Sequence, residues 1–133
     1  MSNFVRNYYP KRPVKSFQDL EVYQKLLAVS VAVAKRVKNQ KAIDTAMDLP
    51  VKVATAHSLR FADQIKALQT LEEAMLSCNL LIVYLEQYRD IENFDIETEF
   101  FEEQIRVLLT TRFKLMHLQQ SWKKFSLERK EQK

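Results

Sequence analysis

Few residues of this chain could do covalent or metal chemistry, and they lie far apart. The only histidines are His57 and His117, and the only cysteine is Cys78. A di-metal bundle needs two Glu-x-x-His pairs, yet Ala54 and Lys114 stand three residues before the two histidines. One cysteine with two distant histidines falls short of a zinc set. The acidic stretch from Asp90 to Glu103 lacks the spacing and the glycine of a calcium loop. Glycine is in fact absent, where average usage would give about nine. Phosphate-cradling loops and dinucleotide fingerprints are therefore excluded, and tight hairpins lose their preferred residue. No nucleophile, carboxylate pair or metal set converges in the sequence. No enzymatic activity, cofactor or metal is expected.

The cations are better organised. Arg106, Thr110, Lys114, His117, Ser121 and Lys124 recur at three and four, so they share one helix face. Lys35, Arg36, Lys38 and Lys41 form a second cluster. Lys35, Arg36, Lys38, Lys41, Arg106, Lys114 and Lys124 are thus candidates to neutralise the phosphates of RNA or DNA. The plain alternative is an ordinary solvated face. Aromatic residues do not interleave with the cations, so base stacking on single strands is not expected. Arg112 and Gln119 fall on the same line as Ile105, Leu108 and Leu115. Polar residues on a core line suggest a subunit interface, with Trp122 and Phe125 as anchors. The alternative is that the bundle splays there and these residues face water. Cys78 lies on an apolar line and reads as a buried structural thiol.

The elements that must carry these residues are helices. The chain has 133 residues, 47% of them hydrophobic, enough for one domain with a real core. Residues 1–15, with Tyr8, Tyr9, Pro10 and Pro13, show no period and read as an extended arm. Ser16 with Asp19 is a helix-start signature. A helix over 17–38 follows, with Leu20, Tyr23, Leu27, Val31, Ala34 and Val37 on one stripe. Val22, Leu26, Val29 and Val33 widen it. Around Pro50 two readings stand: a helix starting there, or a kinked helix over 40–57. A third helix spans 59–89, with Phe61, Ile65, Leu68, Met75, Cys78, Ile82 and Leu85 in line. Asn93 and Asp95 are cap candidates in the connection to a fourth helix, over 95–127. That helix carries Phe101, Ile105, Leu108, Leu115 and Trp122 on one face, with Leu109, Phe113 and Met116 beside it. A charged tail, 128–133, ends the chain. Short connections predict an all-α, antiparallel up-down-up-down four-helix bundle over 16–127.

The net charge is +4, but residues 1–60 carry +7, 61–105 carry −9 and 106–133 carry +6. Much of this is acidic residues at helix starts and basic ones at helix ends. The largely apolar stretch Leu26–Ala34, interrupted at Ser30, is too short to span a bilayer. Its Ala32-Val33-Ala34 end resembles a cleavage site, but Asp19 and Glu21 sit where a leader would be positive. With a single cysteine as well, a cytoplasmic protein without membrane association is expected.

The segment Phe17-x-Asp19-Leu20-x-Val22-Tyr23-Gln24-Lys25 resembles the opening motif of a bacterial family of small four-helix bundles. Some members are encoded within intervening sequences of large-subunit ribosomal RNA genes. Related bundles are the accessory variability proteins of diversity-generating retroelements. The family usually has Trp where this chain has Tyr23. Leu49-Pro50-x-Lys52-Val53-Ala54-Thr55-Ala56 is similar to its second motif, with Lys52, Thr55 and Ala56 replacing Asn, Glu and Gly. Ala67-Leu68-x-Thr70-x-x-Glu73 is similar to a third, with Gln69 in place of Gly. The resemblance covers about 17–125. It implies that Pro50 lies inside a kinked second helix, and it implies a homopentameric ring without enzymatic activity. In the retroelement branch it also implies binding of nucleic acid and of a partner reverse transcriptase. The alternative function is a protein–protein interaction scaffold with no nucleic-acid role.

Overall fold

The computed structural model describes residues 14–92 and 98–131, the last six as backbone only. Most of the expected arm, the cap candidates Asn93 and Asp95, and the end of the tail lie outside the described residues. At Ser16 the expected start signature forms. The Ser16 hydroxyl accepts from the Gln18 amide at 3.2 Å, and the Asp19 carboxylate accepts from the Ser16 amide at 3.2 Å. The result is a short 3-10 turn, Phe17–Asp19, and an extended Leu20, before helix α1 begins at Glu21. So α1 spans Glu21–Arg36, shorter than the expected 17–38.

Helix α2 spans Gln40–Leu59 and contains Pro50. The Asn39 side chain caps it, accepting from the Ala42 amide at 3.0 Å. Of the two readings around Pro50, a helix that runs through the proline is the one that forms, not one that starts at it. An interior proline costs about 3 kcal/mol. Against that, Ala42, Ala46, Leu49, Val53 and Ala56 are all fully buried along one stripe through it. Breaking the helix at Pro50 would expose half of that stripe.

Helix α3 spans Gln64–Glu92 and α4 spans Thr98–Glu131. Asp63 starts α3, its carboxylate accepting from the Lys66 amide at 3.1 Å. That start is later than the expected 59. Phe61 therefore sits in the turn, 64% exposed, and Ile65 in the first turn of α3 is 72% exposed, so neither joins the core as their spacing predicts. Helix α4 runs beyond the expected 127.

Each helix packs on the next in chain order, and α4 closes back on α1. The diagonal pairs make no close backbone approach among the described residues. Tyr88 at the end of α3 meets Phe101 at the start of α4, and Gln119 late in α4 meets Leu68 and Glu72 early in α3. Arg36 ends α1 over Phe100, while Lys114 pairs with Glu21 at its start. Neighbouring helices are thus antiparallel: the fold is the up-down-up-down four-helix bundle. Its core runs from Phe101, Tyr88 and Leu85, through Leu26, Leu49, Leu81 and Leu108, to Leu71 and Leu115. No described helix is long and apolar enough to cross a membrane.

Candidate functional site

The cations expected to act together are split between two places. Lys35 and Arg36 end α1, Lys38 lies in the connection, and Lys41 opens α2, so one tight turn gathers all four. Lys35, Lys38 and Lys41 are exposed, without an ion-pair partner among the described residues. Arg36 places its guanidinium 4.9 Å from the centre of the Phe100 ring, a cation–π contact. The α4 face is exposed at Arg106, Thr110, Lys114, His117, Ser121 and Lys124, as their spacing predicts. Its charges are partly neutralised. Arg106 donates to Glu103 at 2.6 and 3.2 Å, and Lys114 pairs with Glu21. His117 stacks edge-on against Phe113, with ring centres 5.0 Å apart. Lys124 is exposed near the far end of α4. The distance along α4 from Phe100, beside the turn, to Lys124 is about 36 Å. One short phosphate stretch cannot touch both.

The candidate interface residues find much of their environment inside the chain. Gln119 is 5% exposed, and its amide donates to the Leu68 carbonyl at 3.1 Å and to Glu72 at 2.9 Å. Trp122 is half-buried, its carbonyl accepts from the Gln64 side chain at 2.9 Å, and its ring lies 6.4 Å from His57. Phe125 is 52% exposed. Arg112 is half-buried, and its Nε is enclosed without a hydrogen-bond partner. Of the four, Phe125 turns most to solvent and Gln119 least.

Cys78 is buried, as expected, and burial pushes its thiol up to about 12, with nearby Arg112 opposing the shift. A thiol held this firmly protonated is not a nucleophile. His57 is buried where α2 ends. Burial lowers its pKa, Arg60 adds to the lowering, and Asp19 opposes it. The Arg60 guanidinium lies 3.1 Å from His57 Nδ1 and donates to the His57 carbonyl at 2.6 Å. Arginine can only donate, so Nδ1 is the acceptor and the ring is neutral. This corner joins the 3-10 turn, α2, α3 and α4 and is structural. No group of three or more metal-binding side chains forms among the described residues.

Two apolar surfaces were not read from the sequence as exposed. On α3, Leu76, Leu80 and Val83 are 58%, 40% and 46% exposed. At i, i+4 and i+7 they form one face. The antiparallel register sets Leu109 and Phe113 of α4 level with them, and these are 50% and 53% exposed. The second surface is a groove between α1 and α2, with Leu27 and Val31 on one wall and Met47 and Val51 on the other. The signal for the first surface was present: α3 carries apolar residues outside its core line as well as on it. The chain matches no protein-family model, no curated protein and no solved structure.

Proposed function

We propose that this protein is a non-enzymatic bundle that assembles with further copies of itself, and that the assembly binds nucleic acid through its repeated basic turns. The observation that carries the reading is the outer α3/α4 face. Five large apolar side chains, each at least 40% exposed, lie at matching levels of these two neighbouring helices. A contiguous apolar surface of this kind marks an interaction site. Assembly through like faces gives a dimer, whereas unlike faces give a ring such as the pentamer the resemblance implies. Each copy then adds one cluster of Lys35, Arg36, Lys38 and Lys41. Clusters linked in one particle bind a polyanion far more strongly than one alone. The resemblance extends the reading to a reverse transcriptase partner.

Light scattering tests the assembly. The wild type should have the mass of several chains, and the double variant Leu76→Asp, Phe113→Asp that of one, with unchanged helicity. A monomeric wild type overturns the reading. Binding of labelled RNA and DNA, measured across salt, tests the second half. Affinity should fall steeply with salt, and Lys35→Glu with Lys38→Glu should weaken every sequence alike. One observation favours the scaffold without nucleic acid: Arg106 and Lys114 are already held by carboxylates. Assembly without any binding at low salt would select that reading.

A further inference from the structure

We propose that the groove between α1 and α2 is the seat of this chain's own N-terminal arm, residues 1–13. The groove encloses about 790 Å³. Its walls carry Leu27, Val31, Met47 and Val51, each 41–57% exposed. Its hydroxyls are already engaged. Ser30 donates to the Leu27 carbonyl at 2.7 Å, Thr55 to Val51 at 2.8 Å and Ser58 to Ala54 at 2.8 Å. With these donors used within their own helices, and Lys66 as the charged side chain in the lining, the groove favours a largely apolar occupant.

The arm carries apolar side chains between its cations Arg6, Lys11 and Arg12, and the described chain that follows it reaches the groove at Phe17. Phe17 lines one end, its ring set edge-on to Tyr23 with centres 4.9 Å apart. The Ser16–Asp19 hydrogen bonds fix the chain where it enters, and Asp19 also accepts from the Lys15 amide at 3.0 Å. Upstream stand Phe4, Val5, Tyr8 and Tyr9, with Pro10 and Pro13. Proline fixes φ and biases the residue before it to extended backbone. An extended chain is slender enough to lie between two helices. From Tyr23 to Val31 the α1 wall is about 12 Å long, and ten extended residues reach up to about 33 Å. Tethering beside the groove also gives the arm a millimolar effective concentration.

Limited trypsin digestion of the full chain tests this. Cleavage after Arg6 and Lys11 should be about tenfold or more faster in Met47→Asp, Val51→Asp than in the wild type, because local protection is lost. Tyr8→Ser, Tyr9→Ser should do the same without touching the bundle, so the test survives if the groove variant does not fold. Equal rates in all three proteins overturn the proposal. So does protection that disappears on dilution, which would assign the groove to a second copy. The Leu76→Asp, Phe113→Asp protein is informative in parallel. If it is monomeric and its arm stays protected, the groove reading stands independently of assembly.

Discussion

The α3/α4 side and the α1/α2 side of the bundle are built differently, although both expose apolar residues. Long polar side chains cross the α3/α4 seam, Gln119 to Leu68 and Glu72, and Gln64 to the Trp122 carbonyl. No side-chain hydrogen bond joins α1 to α2 among the described residues. Small residues, among them Ala42, Ala46 and Ser30, are buried on these two helices, while Leu27, Val31, Met47 and Val51 stand outward as groove walls. The seam has a defined register because a misplaced Gln119 would leave a buried amide unpaired. The groove carries no such penalty. It is a surface that another apolar segment can fill. One bundle thus holds a seam whose register is fixed by polar bridges and a groove that no such bridge closes.

The largest expected difference lies in the core. Leu108 is fully buried, so Leu108→Ala should cost about 2–5 kcal/mol in a urea unfolding series. Leu27→Ala, on the groove wall, should cost less than about 1 kcal/mol. Equal losses would mean that the groove is as tightly filled as the core. A smaller contrast concerns polar groups. Gln119→Ala should cost about 1–3 kcal/mol, because it removes two of the three bridges across the seam. Ser30→Ala should stay within about 1 kcal/mol, since its hydroxyl serves only its own helix. A reversed order would break the comparison. The smallest effect sits at the corner where the sides meet. His57 has a folded pKa below its ordinary 6.5, so the unfolded chain takes up the proton first as pH falls. The stability from neutral His57 is therefore complete above pH 6.5 and is lost as pH falls from there to the folded pKa. His57→Gln should remove that slope from thermal melts, leaving the carboxylate titrations at lower pH.

Much of this was legible in the amino-acid order, for physical reasons that differ by residue. The Ser16–Asp19 start, the burial of Cys78 and the solvent face of Arg106 to Lys124 depend on neighbours within a few residues or on helical period. Pro50 was not resolvable that way, because its tolerance depends on what Ala46, Leu49 and Val53 bury against. Neither were the partners of Gln119, which lie 47 and 51 residues away. A polar residue on a core line can equally mark an interface, a splayed end or an internal bridge. For Gln119 the packing supplies the bridge.

Helix α1 separates the two kinds of information most clearly. Its sequence offers adjacent apolar stripes, one through Leu27 and Val31 and one through Leu26, Val29 and Val33. Periodicity determines that both exist, that the segment is helical and that the chain becomes a bundle. It does not determine how α1 is rotated about its own axis. Packing against α2 and α4 turns Leu26, Val29 and Val33 inward to at most 2% exposure and leaves Leu27 and Val31 outside at 41% and 43%. Helical period is a local property of the backbone, whereas rotation is set by the shape and volume of the neighbouring helices. For α1 the sequence therefore settled the helix and its apolar stripes, and only the assembled tertiary structure decided which stripe became core and which became groove.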